Sequence, residues 1–517
     1  MYRAYEEPSP LLIGYDPYRD LPKDHLARLV EAVVEQSVAI ESESYCPGQP
    51  KFDPRLCVKI LAYGYATGVR SSRQLEKHCR ENLPYLYLTR GDTPSYRTIC
   101  TARHEYGAEL ETVWVGLFAV AKSLGLNRLG RIVVDTSKLA ANSSREMIVD
   151  EQEYAALKCE LERILAEVEA TDELEDRQGY AGETTTGKEM DNLQMREILR
   201  QVRKQMRKDG GSEQEVGADK SARPAQRSHV TGKMRRRISE AIGSIEEAEC
   251  EGRKQVCLTD PDARMMYSGT EKKLKQCHSL EVAIDRDCGL LVAAGVTQVG
   301  ADNQRLIPLV EGARSNEPDG IKWVDGDSGF FTAQALSELI EAGVDVCVPD
   351  SNAACELHRG LLVGRSARRH RVIFEYDEQK DLYKCTEGNE LPLRWLKEGG
   401  TLKVYRAKRS CRGCSRYSEC IVRQDGKPAQ ASYKQFGVRQ SREQLRVAME
   451  RFNDPEHRQR YSERGSVVEG VFGFIREVIG FDKWLLRGSV GVKNEGLLMS
   501  LAYQLRRLYP TWAQAGA

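Results

Sequence analysis

The chain lacks any apolar run long enough to span a bilayer, which argues against a membrane-embedded class. It lacks net charge as well. With 77 basic residues against 77 acidic ones, overall charge does not point to nucleic acid, and local clusters must carry any such argument. A disulfide framework is missing too. The 15 cysteines are odd in number and mostly scattered singly among apolar neighbours, as at Cys57, Cys100 and Cys347. That pattern fits a reducing cytoplasm in which thiols are buried as small hydrophobes. The first residues, Met1 to Glu7, are acidic and have no apolar core, so a signal peptide is not expected.

What is present is 517 residues, enough for two to four domains. To about Asn127 the spacing predicts helices. Leu26, Leu29, Val30, Val33 and Val34 recur at helical intervals, Asp53-Pro54 opens a second helix, and Thr93-Pro94-Ser95 opens another. Short helices with arginines expected to be exposed, namely Arg70, Arg73, Arg80, Arg97 and Arg103, fit a helix-turn-helix-like DNA reader and a plain bundle equally well.

Gly130 to Lys138 is a β-branched run that ends on acid, so it predicts a buried strand carrying Asp135 to its polar end. From about 145 to 255 the chain is highly charged, with apolar stripes such as Tyr154, Leu157 and Leu161, or Met234, Ile238 and Ile245. These predict long helices packed as an inserted hairpin or short coiled coil, with a polar loop from Lys208 to His229. Basic stretches there, Arg200 to Lys204 and Lys233 to Arg237, have acidic neighbours and read as a solvated face. Next come a hairpin (Ser279 to Asp285, then Leu290 to Val296), a helix from Asn303, a strand from Ile321 to Asp327, a helix from Thr332 and a strand from Val344 to Val348. With the insertion removed, this is a three-stranded meander followed by parallel strands joined by helices, the ribonuclease H-like order. Residues from about 351 to 440 predict a small β-rich insertion, and the chain returns to helix after Arg442.

Two clusters carry chemistry. Cys385, Cys411, Cys414 and Cys420 have a spacing that suits a structural zinc, the alternative being four reduced thiols. Asp135 and Asp327 stand at the ends of two strands predicted to be neighbours, where paired carboxylates suit Mg²⁺. A third carboxylate, Glu469, lies on a helix whose apolar face is Val468, Val471, Phe472 and Ile475. Tyr461, Arg464 and Arg476 on that helix are spaced to bind phosphate. Taken alone, the same stretch also reads as an ordinary amphipathic helix.

Together these motifs resemble the bacterial insertion-sequence DDE transposases over nearly the whole chain. Val134-Asp135-Thr136-Ser137-Lys138 through Asn142 is similar to the first-aspartate motif, and Asp327-Ser328-Gly329-Phe330 to the second. Tyr461 to Arg476 looks like the Tyr-x-x-Arg, Glu, Lys signature. Arg476 replaces the usual lysine and keeps the charge, Phe330 replaces tyrosine and loses a hydroxyl, and Glu469 falls one residue late. Asp325 competes for the second carboxylate, and Gly329 decides for Asp327.

The resemblance implies an α/β chain with an all-α DNA-binding domain at 1–127 and a ribonuclease H-like catalytic domain at 128–517. It implies Mg²⁺ (or Mn²⁺) held by Asp135, Asp327 and Glu469, and DNA contacts from Arg70, Arg73, Arg97, Tyr461, Arg464 and Arg476. The expected partners are double-stranded DNA, both terminal inverted repeats and target, and a second copy of the chain as a homodimer. The expected location is cytoplasmic and nucleoid-associated. A stand-alone nuclease of the same fold and an inactive DNA-binding derivative are the alternatives.

Overall fold

The computed structural model describes residues 16–39, 52–126, 130–178, 191–209, 232–268, 273–316, 320–358, 363, 366–369, 372–377, 379–397, 402–421, 430–439 and 445–516. The molecule is mixed α/β: among the described residues a helical N-terminal region precedes two six-stranded sheets, a two-stranded ribbon and further helices. Among the described residues no helix is long and apolar enough to cross a membrane.

The central sheet is built on β1 (Arg131–Ala140). A small ribbon of β2 (Ile148–Asp150) and β3 (Gln255–Cys257) closes the base of the helical insertion. There follow β4 (Arg264–Ser268), the 13-residue β5 (Lys273–Asp285), β6 (Leu291–Thr297), β7 (Trp323–Asp325) and β8 (Asp345–Cys347). β5 pairs antiparallel with β1 on one side. On its other side it pairs with β6 and, nearer its start, with β4. β1 then pairs parallel with β7, and β7 with β8. The strand order β6-β5-β1-β7-β8 is thus a meander continued by two parallel strands, each reached through a helix, Leu306–Asn316 and Ala333–Glu341.

β1 is buried on both faces because its side chains alternate between two cores. Val133 and Leu139 join the N-terminal helices and the C-terminal helix Gly488–Gln514 in one core. Ile132 and Val134 join the helices Leu306–Asn316 and Ala333–Glu341 and the segment Leu445–Phe452 in the other. The first core therefore unites the beginning and the end of the chain around one face of the sheet.

The insertion folds as helices Glu151–Gln178, Asp191–Asp209 and Gly232–Cys250 around their own core of Tyr154, Leu157, Leu161, Leu199, Ile238 and Ile245. Most of the Lys208–His229 stretch lies outside the described residues. The second insertion is a six-stranded antiparallel sheet, in sequential order, of β9 (Ser366–Arg369), β10 (Val372–Asp377), β11 (Leu382–Cys385), β12 (Glu390–Lys397), β13 (Leu402–Arg406) and β14 (Gln435–Arg439). A helix, Ser351–His358, precedes it. Cys57 and Cys347 are buried as expected of small hydrophobes, whereas Cys100 is exposed.

Candidate active site

The parallel pairing of β1 with β7 covers only Arg131 to Val133, so β1 runs on beyond its neighbour and carries Asp135 past the end of β7. β7 ends at Asp325. Two residues later Asp327 caps the 3₁₀ turn Ser328–Phe330, its Oδ1 accepting the Gly329 amide at 2.8 Å. Asp135 is half-buried, and its Oδ1 accepts the Thr136 amide at 2.8 Å. Burial is the main cause that pushes Asp135 up to about 6. The Thr136 amide and the Arg464 guanidinium pull it down, while the Asp327 and Asp302 carboxylates push it further up.

Asp302 was not among the sequence candidates. It opens the 3₁₀ turn Asp302–Gln304 after β6, and its Oδ1 accepts the Thr136 hydroxyl at 2.9 Å. The only sequence signal was an acidic residue at a helix start, which by itself reads as a cap.

Asp325, the competitor of Asp327, is 1% exposed and already committed. Arg460 Nε donates to its Oδ1 at 2.6 Å and Arg286 Nη1 to its Oδ2 at 3.1 Å. Arg460 itself is buried, stacks over Trp323 at 4.1 Å and also reaches Asp345 Oδ2 at 2.7 Å. Desolvation still holds Asp325 above the usual carboxylate range, against the pull of both arginines.

The helix Pro455–Gly473 starts where Asp454 accepts the amides of Glu456 and His457, with proline at the first turn. Val468, Val471, Phe472 and Ile475 are buried against the sheet, as the stripe predicted. Arg464 lies over the Tyr461 ring at 5.6 Å. Its Nε is buried and has no hydrogen-bond partner among the described residues. Burial pushes the half-buried Tyr461 phenol up; the Arg464 guanidinium pulls it down and the Asp327 carboxylate adds to the rise. A π turn, Phe474–Val478, follows the helix and carries Arg476, whose Nη2 donates to Ser137 Oγ at 2.9 Å. Glu469 is exposed and, among the described residues, makes no hydrogen bond or ion pair. The fold thus gathers Asp135, Asp327, Arg464 and Tyr461, with Arg476 one residue pair along β1, and leaves Glu469 on the open flank of the helix. Among the described residues, no three histidine, cysteine or acidic side chains are arranged as a group that holds a metal ion.

The four cysteines share the wall of a cavity of about 550 Å³ in the second insertion. Burial pushes Cys420 up to about 11, and Cys411, Cys385 and Cys414 stand close enough to add to the rise. The Asn389 amide donates to Cys385 Sγ at 3.2 Å and the Lys434 amide to Cys411 Sγ at 3.4 Å.

The N-terminal arginines divide. Arg73 and Arg97 are exposed and flank the Tyr96 ring at 5.3 and 5.9 Å, and Arg80 is exposed in an ion pair with Glu76. Arg70, expected at the surface, is 9% exposed, and its guanidinium is spent on Gly480 O, Lys483 O and Glu495. Arg103 is buried too and donates to Arg70 O. Both expectations of exposure are corrected for one reason: the C-terminal helix and the loop before it cover this face of the N-terminal helices.

Residues 16–105 match the family described as Transposase domain (DUF772), and residues 384–509 match the one described as Transposase DDE domain. The second match spans the four cysteines and Tyr461 to Arg476; Asp135 and Asp327 lie outside both. No curated protein and no solved structure matches the chain.

Proposed function

We infer, from a chain that belongs to the insertion-sequence DDE transposases, that it binds the terminal inverted repeats of its element, cleaves at their ends and joins the liberated 3′ end to target DNA. The observation that carries this reading is the convergence of Asp135 and Asp327 where β1 runs past β7. The strand order β6-β5-β1-β7-β8 supports a ribonuclease H-like catalytic core. We take residues 1–127 as the DNA-reading part and 128–517 as the catalytic part. This is a division of labour across a shared hydrophobic core.

The donor set fits Mg²⁺ or Mn²⁺: hard carboxylate oxygens of like sign crowd a half-buried spot, and a divalent cation would relieve them. Asp135 and Asp327 would hold it, with Glu469 joining from the helix flank. Bound there, the cation would supply stabilisation of the attacking and leaving oxygens. The chain's own groups do the rest. Arg464, with its free Nε, and Tyr461 would hold the phosphate at the cleaved end, and Arg476, oriented by Ser137, would hold its neighbour. In-line attack at phosphorus by water, then by the 3′ hydroxyl, needs no bond between protein and DNA. The cysteine set fits a structural Zn²⁺, since four thiols line one cavity and backbone amides donate to two of them. A homodimer would hold the two element ends together, at the nucleoid.

The test is incubation with Mg²⁺ and a duplex carrying the flanks of the chain's own gene. The expected products are a free 3′ hydroxyl and a joined strand. Cleavage without joining would mean a stand-alone nuclease of this fold, and binding without cleavage an inactive derivative. Nicking that survives Asp135→Ala would overturn the assignment.

A further inference from the structure

We propose that the outer face of the second sheet, where Trp395 stands among Arg394, Lys397 and Arg406, holds the phosphate backbone of target duplex DNA without regard to its sequence. This rests on the reading of the chain as a transposase. It concerns residues outside both the N-terminal helices and the carboxylate site.

The face is made by a break in the strand pattern. In β12, Leu391 and Leu393 alternate into the small core they share with Phe374, Tyr383, Tyr405 and Phe436. On alternation alone Trp395 would follow them. The register shifts first. Leu393 pairs with the core residue Tyr405, but Trp395 pairs with its neighbour Val404. A bulge thus absorbs Arg394 and turns Trp395 to the opposite side. Lys397, paired with Leu402, stands on the same side as Trp395. Arg406 joins them, since Tyr405 and Ala407 on either side of it are in the core and it pairs with Gln435 rather than Phe436. Its guanidinium lies over the Tyr433 ring at 4.5 Å. Trp395 is half-buried and belongs to none of the described hydrophobic cores. Turning a tryptophan away from so small a core forfeits apolar burial, so the bulge does not serve the sheet's own stability.

The charge on this face has one sign. Among the described residues the side chains of Arg394, Lys397 and Arg406 make no ion pair and no hydrogen bond. The sheet's carboxylates are answered elsewhere: Asp377 by Lys384 at 3.0 Å, Glu390 by Lys408 at 2.6 Å and Asp381 by Lys403 at 3.6 Å, while Glu375 stands on β10, beyond β11. Among the described elements, β12, β13 and β14 make substantial contact only within their own sheet. Unpaired cations that share an open face with aromatic rings suit a polyanion. The chemistry selects duplex DNA held by its backbone. Three cations address phosphates, and the exposed Gln435 is the one amide side chain paired into this face that could read a base edge. Contact without sequence preference belongs to the target duplex rather than to the terminal repeats, which the N-terminal helices are taken to read.

The test is fluorescence anisotropy of the full-length chain with a duplex unrelated to the element, over a range of salt concentrations. The triple variant Arg394→Gln, Lys397→Gln, Arg406→Gln is expected to bind it at least about tenfold more weakly at low salt, with the slope of log affinity against log salt reduced by about 2–3. Cleavage of a terminal-repeat duplex by the same variant is expected to match the parent. A control triple, Lys158→Gln, Arg163→Gln, Arg236→Gln, removes the same charge from the helical insertion, where each cation already has a glutamate, and is expected to bind like the parent. Equal weakening by both triples would reduce the effect to net charge and overturn the proposal, as would parent-like binding by the first. Unchanged DNA binding with an altered sedimentation coefficient would assign the face to a second copy of the chain and overturn it too. A parent chain that binds neither duplex would overturn the transposase reading along with the proposal. Should the first triple not fold, Lys397→Glu at the exposed end of β12 takes its place, and unaltered binding by that variant overturns the proposal.

Discussion

The guanidinium of Arg70 meets the carboxylate of Glu495 at 2.8 Å inside the protein, 425 residues away in sequence. Glu495 is fully buried, and its other oxygen accepts the amides of Leu485 and Leu486 at 2.8 and 2.9 Å. Arg70 also holds Gly480 O and Lys483 O, and the next residue, Trp484, donates its amide to Ala140 O at the end of β1. Removing the arginine leaves a buried carboxylate without its counter-charge, which costs about 3–5 kcal/mol. Arg70→Ala is therefore expected to lower the urea midpoint by that equivalent at an unchanged denaturant slope. A midpoint like that of the parent chain would show that the pair contributes nothing.

At the surface of the same region, Arg73 and Arg97 flank Tyr96 and are free to meet phosphate. Every phosphate that the protein ceases to neutralise reduces the slope of log affinity against log salt by about 0.9. The double variant Arg73→Ala, Arg97→Ala is expected to bind a terminal-repeat duplex more weakly, with the slope reduced by about 2, and to melt like the parent. Fluorescence anisotropy at several salt concentrations measures this. An unchanged slope would remove both residues from the DNA interface.

The contrast between these arginines also marks how far sequence reading reaches. β1 was legible because a β-branched run ending on acid constrains a strand locally, and the helical stripes were legible because period and burial agree. Arg70 was not, because Gly68-Val69-Arg70-Ser71-Ser72 is locally polar and the carboxylate that draws it inward is supplied by the last helix. β4 and the start of β5 were missed for a related reason. Arg264–Ser268 and Lys273–Gln276 have weak alternation and form strands by pairing with each other. Asp302 was missed because what distinguishes it, the Thr136 hydroxyl and the turn at Gly329, is tertiary. Arg460 and Arg286, which engage Asp325, were missed likewise, since ion pairing at the end of β7 leaves no periodic signal.

If the cysteine cluster holds zinc, protein purified without chelators should carry about one zinc per chain. Cys411→Ser should release it, because Sγ of Cys411 accepts the Lys434 amide and joins the cavity wall. The six-stranded sheet should then become sensitive to protease, since its own core of residues such as Phe374, Leu391, Tyr405 and Phe436 is small. Elemental analysis and limited proteolysis measure the two effects. Metal-free protein with the protease resistance of the parent would leave four reduced thiols.

Gly329 offers a sharper test of the carboxylate geometry than deletion of any acid. Alanine there would bring a methyl group to within 2.9 Å of Asp327 Oδ1. Overpacking of this kind costs about 1–3 kcal/mol, so the fold should survive. Metal-dependent cleavage should nevertheless fall at least about tenfold, because misplacing a catalytic group by about 1 Å costs up to a hundredfold. Parent-like cleavage by Gly329→Ala would mean that the Asp327 carboxylate is not held for the reaction.

Asp325 and Asp327 are two residues apart, and their surroundings assign them opposite work. Asp325 neutralises Arg460 and Arg286 in the interior, so Asp325→Ala breaks a buried pair and leaves Arg460 with Asp345 and Arg286 with Glu463 as their remaining carboxylates; it is expected to cost up to about 3–5 kcal/mol. Asp327 accepts one amide at the start of a short turn, so Asp327→Ala forfeits a cap worth about 1 kcal/mol. The same substitution is expected to abolish strand cleavage while DNA binding remains. Measuring both variants for urea midpoint and for nicking of the repeat duplex separates the roles: one should lose stability, the other chemistry. The reverse result, a stable Asp325→Ala that never nicks beside an Asp327→Ala that still does, would move the second carboxylate to Asp325 and require both arginines to release it when DNA binds.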